Sequence, residues 1–196
     1  MKSKCICDGT NLIECINLGS IPLVNNFKKV YQPKKYPLSM GICKKCMLFQ
    51  IQKNIKPELL FSNYAHISAG SKSNINHIKK VFKKICQIKK IDKKTKILEI
   101  GCNDGTLLKI AKKKTNNIIG VDPAKNLMSK IKTSYLELIP DFFNKNNGEY
   151  LKSKYKKFDV IIALNVIPHT INVKEILQYV GKLLADDGIF FMEGAY

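Results

Sequence analysis

Residues 96–108 hold the densest chemistry in the chain. Lys96-Ile97-Leu98-Glu99-Ile100-Gly101-Cys102-Asn103-Asp104-Gly105-Thr106-Leu107-Leu108 reads as an apolar strand, a turn and the start of a helix. Gly101 permits an unusual backbone angle. Gly101 and Gly105 together let the loop approach a ligand closely, and the helix start offers N–H groups without partners. A dinucleotide loop would set those groups on a pyrophosphate with G-x-G-x-x-G spacing, and that spacing is absent. Glu99 instead stands two residues before Gly101, and Asp104 lies inside the loop. Carboxylates there repel a pyrophosphate and suit the ammonium end of an aminoacyl sulfonium. Gly120-Val121-Asp122 closes the next strand. A carboxylate at that place has two oxygens to offer to ribose hydroxyls. Asp141, followed by Phe142 and Phe143, comes after a weaker third strand. It is placed to accept from an adenine amino group with an aromatic beside the base. The competing reading is a helix cap with core phenylalanines.

Cysteines supply the second constellation. Cys43-Lys44-Lys45-Cys46 is a CxxC knuckle, and Cys5-Ile6-Cys7 is a tighter pair upstream. Two such pairs can converge on one tetrahedral zinc, for which thiolates make a soft, closed, structural shell. The expected ligands are Cys5, Cys7, Cys43 and Cys46, with Cys15 able to replace a member of the compressed pair. The competing reading is buried or free thiols. Cys15 and Cys86 are otherwise expected to pack in apolar surroundings, and Cys102 to be a small residue in a tight loop.

These groups need elements to position them. From Lys96 onward strand and helix patterns alternate. Strands are expected at 96–100, 117–122, about 135–139, 158–164 and 188–193, and helices near 105–114, 124–132, 145–153 and 173–184. That alternation predicts an α/β fold, a Rossmann-like parallel sheet with helices on both faces. Phe158-Asp159-Val160-Ile161-Ile162-Ala163-Leu164 is nearly all apolar, as a strand buried on both faces should be. Ahead of the sheet, Ile75, Ile78, Val81, Phe82, Ile85 and Ile88 recur at helical steps, with lysines opposite. Ser73 or Asn74 is the expected cap. Residues 1–57 are proline- and cysteine-rich, with short apolar runs, and too small to build a sufficient core without a metal staple. The expected division is a zinc-binding domain at 1–57, a linker and helix at 58–90, and the sheet domain at 91–196.

The chain has 196 residues and a formal charge of +19. All its basic residues are lysine, spread in pairs and without an arginine. Nucleic-acid recognition favours the arginine fork and a clustered basic face, so the charge reads as a compositional bias with Ile and Asn. An odd count of seven cysteines, without a secretory leader, points to a reducing, cytoplasmic setting and to metal or free thiols. No apolar run reaches the ~18 residues of a membrane span.

Glu99-Ile-Gly-Cys-Asn-Asp-Gly-Thr-Leu-Leu, Gly120-Val-Asp-Pro-Ala-Lys-Asn126 and Asn165-Val-Ile-Pro-His169 resemble the class I S-adenosylmethionine-dependent sugar C-methyltransferases, which act on nucleotide-linked keto-deoxysugars. Leu18-Gly-Ser-Ile-Pro-Leu-Val-Asn25 and Cys43-x-x-Cys46 are similar to that family's zinc-binding module, and Leu60-Phe-Ser-Asn-Tyr64 with Ser68 and Ser71 to its linker. The resemblance implies S-adenosylmethionine as methyl donor and a structural zinc. It implies a donor site drawn from Tyr64, Glu99, Gly101, Asn103, Asp104, Gly105, Asp122, Pro123, Asp141, Phe142 and Asn165. His169, beyond the fourth strand of the sheet domain, is the candidate catalytic group, since an imidazole titrates near neutrality. A histidine opening the next helix is its competing reading.

The sequence departs from the family after Glu193-Gly-Ala-Tyr196, where a Tyr-His-Glu-His stretch with the main base is expected to follow. Two other readings therefore stand beside sugar C-methylation: a truncated, inactive donor-binding remnant, and a nucleic-acid methyltransferase with a zinc module. The strand Gly188-Ile-Phe-Phe-Met-Glu193 carries four successive apolar residues. As a bare edge it is expected to self-associate or to seek a complementing polypeptide.

Overall fold

A computed structural model describes residues 3–23, 33–132 and 136–194. Val24 and Asn25 of the zinc-module motif, the first residue of the strand expected at 135–139, and Ala195 and Tyr196 lie outside the described residues. The chain divides into two compact units, Met1–Leu60 and Phe61–Tyr196.

The first unit is a small antiparallel sheet of β1 (Leu12–Pro22), β2 (Lys35–Cys43) and β3 (Phe49–Ile51), in that order. Its buried apolar cluster is Cys5, Leu12 and Cys43. Ile13, Ile16, Leu18 and Ile21 of β1 are exposed, as are Met47, Leu48, Phe49 and Ile51. Hydrophobic burial therefore contributes little here. Cys15 departs from the packing expected of it. It is exposed, its Sγ directed to the Ile13 carbonyl, and among the described residues the small buried cluster of this unit does not reach it.

The second unit follows α1 (Pro57–Phe61), which crosses the boundary, and opens on α2 (Lys72–Ile88). Then come β4 (Ile97–Ile100), α3 (Thr106–Ala111), β5 (Ile118–Val121), α4 (Lys125–Met128), β6 (Leu136–Ile139), α5 (Lys145–Tyr155), β7 (Phe158–Leu164), α6 (Val173–Leu183) and β8 (Leu184–Glu193). The strands pair in parallel in the order β6-β5-β4-β7-β8. Every residue of β4 and β5 is buried, as a sheet covered on both faces requires, Glu99 being the one charged residue among them. One core carries Ile78, Val81, Phe82 and Ile85 of α2 and Leu107 and Leu108 of α3. The opposite core carries Leu151 of α5 and Ile176, Val180 and Leu183 of α6. Helices thus cover both faces. Strand order reverses between β4 and β7, and ligands of open α/β sheets bind outside the carboxyl ends at such a reversal.

Three local expectations shift. α2 is capped by Ser71, whose side chain accepts the Asn74 N–H at 3.0 Å, so the helix starts earlier than Ser73 or Asn74 would set it. α3 and α4 are one to two turns, shorter than the 105–114 and 124–132 expected, because their flanks pass into turns. β8 begins at Leu184, opposite Phe158, and its register slips before Ile189 pairs with Val160. Among the described residues no helix is long and apolar enough to cross a membrane.

Two glycines of the α5–α6 layer make opposite predictions. A Cβ on Gly148 would meet the Tyr179 ring at 2.5 Å, whereas one on Gly181 meets nothing within 4 Å. Gly148→Ala should destabilise by about 1–3 kcal/mol through overpacking. Gly181→Ala should stabilise by about 0.5–1 kcal/mol through helix propensity. Urea midpoints of the two variants check both signs.

Candidate functional site

The loop after β4 is built on two left-handed glycines. Gly101 has φ 77° and Gly105 has φ 73°. A Cβ on Gly101 would collide with the Val166 side chain, and one on Gly105 would come within 3.0 Å of Ile131. The loop is therefore pressed against the end of β7, at the sheet's reversal.

Asp122 fixes the loop from the neighbouring strand. One carboxylate oxygen accepts the Asn103 N–H at 2.8 Å and the other the Ala124 N–H at 2.8 Å. Each oxygen keeps a further lone pair for a ligand hydroxyl. Burial raises the Asp122 pKa, and the two N–H groups oppose that rise. Pro123 follows at the start of the next loop and is partly exposed.

Glu99 is 4% exposed, and its Oε2 has no hydrogen-bond partner. Burial pushes its pKa well above the ordinary carboxylate range, and the Asp122 and Asp104 carboxylates push it the same way. A buried carboxyl with one unpartnered oxygen, near two more carboxyls, favours a cationic group beside it. A ligand with an ammonium group beside ribose hydroxyls fits these residues, and S-adenosylmethionine is such a ligand.

The remaining loop residues turn toward the preceding bridge. Asn103, at φ 52°, accepts the Ser68 N–H at 3.0 Å and donates to the His66 carbonyl at 3.1 Å. Asp104 accepts from the Ala69 N–H at 3.0 Å with one oxygen and from Thr106 with the other. Asn126 exchanges two hydrogen bonds with the Tyr64 backbone, at 3.0 and 2.9 Å. Residues 64–69 are thus strapped to the donor loop by side chains of that loop and of α4. The side chain of Asn103 is committed to this strap, which its place in a Gly-rich motif did not reveal.

Asp141 is exposed and accepts from the Phe142 N–H and the Asn144 side chain. Asn144, not Asp141, caps α5, in a reciprocal capping box with Asn147. Phe143 is core, and Phe142 is partly buried beside it.

At the carboxyl ends of β7 and β8 lies a polar group with no signal in local sequence. His77 Nε2 stands 2.7 Å from Glu193 Oε2, and the Asn165 side chain donates to Glu193 Oε1 at 3.1 Å. Asn165 also donates its backbone N–H to the Glu193 carbonyl at 2.8 Å, and holds φ 56°. His77 and Glu193 are 116 positions apart, and the packing of α2 against the sheet brings them together. His169 is exposed in a short 3-10 turn, Ile167–His169, ahead of α6 rather than within it. Its ring centroid is 6.3 Å from that of Phe61.

In the first unit the ligating atoms of Cys5, Asp8, Cys43 and Cys46 lie within 4.8 Å of one another. Three thiols and a carboxylate are a zinc donor set. Cys7 falls outside this group, and Asp8 stands where Cys7 was expected. In the turn that starts at Cys5, the third residue on returns to the face of the first, and the second does not. Cys15 is not a member either.

Glu99→Gln tests the buried carboxyl. A carboxyl whose folded pKa is raised binds more protons folded than unfolded, so its contribution to stability falls as pH climbs from the ordinary carboxylate range through the raised value. The variant should therefore unfold at a higher urea concentration than the wild type at neutral pH. The gap should close as pH drops into the ordinary carboxylate range.

Two family models match the chain in series. "Putative zinc binding domain" covers residues 5–61, and "Methyltransferase domain" covers residues 98–190. The chain is 26% identical over 195 residues to the C-methyltransferase NovU of Streptomyces niveus, a match spanning 97% of this chain and 46% of that protein. It is 30% identical over 99 residues to a ubiquinone biosynthesis O-methyltransferase of Bartonella bacilliformis, covering 50% of this chain and 40% of that one. The chain thus spans about half the length, or less, of these curated relatives. The fold is similar to the PH0226 protein from Pyrococcus horikoshii OT3, with TM-score 0.51 and 19% identity over 64% of this chain and 56% of that one. It is also similar to the plantazolicin methyltransferase BpumL, solved with a desmethyl analogue and SAH, with TM-score 0.50 and 18% identity over 63% of this chain and 48% of that one. With a zinc-binding-domain match in front, a methyltransferase-domain match over the acidic glycine loop behind it, and similarity to NovU along 97% of this chain, the chain is similar to NovU and has a class I methyltransferase fold behind a cysteine-rich module.

Proposed function

We propose that the chain serves C-methylation of a nucleotide-linked keto-deoxysugar in the cytoplasm, with residues 1–57 as a structural zinc domain, 58–90 as linker and helix, and 91–196 as the donor-binding domain. The observation that carries the proposal is the similarity to a C-methyltransferase along 97% of the chain, joined to the unpartnered Glu99 Oε2 at the end of β4. When bound, S-adenosylmethionine supplies an electrophilic methyl group. Glu99 and Asp104 hold its ammonium end by charge, and Asp122 orients its ribose. Pro123, Asp141 and Phe142 flank the adenosine side. Tyr64, in the strap over the loop, and Asn165, beside it, complete the wall.

C-methylation next to a ketone needs a base to remove the carbon-bound proton. His169 is one candidate, exposed at the end of β7. The His77–Glu193 pair, steadied by Asn165, is a second place where a proton can be held. Orientation of enolate and methyl in line is the remaining contribution of the site.

A second reading has its own support. Among the described residues β8 pairs only with β7, and its Ile189, Phe190 and Phe191 are only partly buried. That edge suits pairing with a second copy or a complementing polypeptide, in which case the chain alone binds the donor without turning over.

The test combines calorimetry with S-adenosylhomocysteine and a labelled-methyl assay on a nucleotide-linked 4-keto-deoxysugar. Asp122→Ala should weaken S-adenosylhomocysteine at least tenfold, since each charge-assisted bond is worth about 1.5–3 kcal/mol. His169→Ala should leave that affinity within about threefold and slow turnover by about 10²–10⁴ if it is the base. Label on a sugar carbon supports the proposal, and label on oxygen or on nucleic acid overturns it. Donor binding without label transfer selects the second reading. Equal affinities of wild type and Asp122→Ala would refute the donor site itself.

A further inference from the structure

The first unit contains two turns with one hydrogen-bond pattern. Cys5 donates its N–H to the Thr10 carbonyl at 2.8 Å, and Cys43 donates to the Leu48 carbonyl at 3.0 Å. Gly9 donates to the Cys5 carbonyl at 2.9 Å, and Met47 to the Cys43 carbonyl at 2.9 Å. Both turns close on a left-handed residue, Gly9 at φ 74° and Met47 at φ 61°. Residues 5–9 and 43–47 are therefore the same turn built twice. In this register Cys5 corresponds to Cys43, Asp8 to Cys46, and Cys7 to Lys45. The hidden repeat is Cys-x-x-Asp-Gly against Cys-x-x-Cys-Met, and the eye is drawn off it by the extra cysteine at position 7.

We infer that the fourth ligand of the zinc site is the Asp8 carboxylate, making a three-thiolate, one-carboxylate centre from which Cys7 is excluded.

The distances agree. Two thiolates on a tetrahedral zinc with ~2.3 Å bonds stand about 3.8 Å apart, and Cys5 Sγ and Cys46 Sγ are 3.5 Å apart. A carboxylate oxygen with a ~2.0–2.2 Å bond stands slightly closer to its thiolate neighbours, and the two Asp8 oxygens are 3.6 and 3.7 Å from Cys43 Sγ. Cys5 Sγ also receives the Cys7 N–H at 3.3 Å and the Gln50 side chain at 3.3 Å, while Cys43 Sγ receives the Cys46 N–H at 3.5 Å. Amide donors aimed at sulfur are the outer support expected of thiolate ligands. Cys7 thus contributes its backbone to the site, through Cys5, and not its thiol. A carboxylate is a harder ligand than a thiolate, so this centre binds zinc less tightly than a four-thiolate version of the same turn pair would.

The inference rests on the reading that this module holds zinc, and the experiment separates the two. Full chain never exposed to chelator is analysed for zinc, then reloaded with cobalt(II), whose sulfur-to-metal charge-transfer absorption scales with the number of thiolates. Wild type and Cys7→Ser should each hold one metal with the same three-thiolate absorption. Asp8→Ala should lose metal to a competing chelator at least about tenfold more readily, because loss of even an outer-sphere partner costs 10–100-fold. Asp8→Cys should gain a fourth thiolate's absorption and hold metal more tightly. If Cys7→Ser loses one thiolate's share of the absorption while Asp8→Ala keeps the wild-type spectrum, the assignment is overturned and the zinc reading survives. Wild type that takes up neither metal overturns both. Should Asp8→Ala fail to fold, the Cys7→Ser spectrum decides alone.

Discussion

The Asp122 carboxylate ties together the working end of the sheet. It is carried by the end of β5 and reaches across to the loop after β4, accepting one N–H from that loop and one from its own. Those two bonds fix where Asn103 and Asp104 begin. From there the same two residues hold the backbone at Ser68 and Ala69. Sheet, loop and strap are thus in series, and the order of dependence runs outward from one buried acid. Gly101 makes the arrangement possible from the other side, since only a residue without Cβ lets the loop lie against Val166.

Glu99 illustrates what the site costs the fold. A carboxyl in full burial, with an unpartnered oxygen and two acids nearby, works against stability in the free protein. The cost makes sense where a cationic ligand arrives to offset it, because the same desolvation that penalises the lone charge strengthens its attraction to a counter-charge. Sites of this kind depart from what a stable core would choose, and the departure points to function.

Much of this was legible in the sequence because periodicity and glycine spacing are local signals. The strand at 158–164 and the boundaries of α5 and α6 follow from apolar patterns that a parallel sheet with two covered faces demands. The donor loop was legible because Glu99, Gly101, Asp104 and Gly105 sit within one short segment. What escaped was either a matter of register or a matter of distance. Asp8 joins the cluster of ligating atoms because the turn returns its fourth residue, not its third, whereas two cysteines in a row of three residues draw the reading to the thiols. The Ser71 cap lay one turn ahead of the visible stripe. His77 and Glu193 meet only through tertiary structure, and no linear spacing encodes a pair 116 residues apart. The bonds of the Asn103 side chain to the strap were not legible, because motifs report backbone geometry more faithfully than the aim of each side chain.

Among the described residues the buried cluster of the first unit consists of Leu12 and two cysteines that also belong to the group able to hold a metal ion. A metal held there would supply by binding much of the folding free energy that so small a core does not. By linkage, each tenfold change in free zinc above the dissociation constant shifts the equilibrium of that unit by about 1.4 kcal/mol. The second unit, with its two apolar cores, has no such dependence built into it. With zinc bound there, one polypeptide would join a part coupled to the ambient metal level to a part that stands by its own packing.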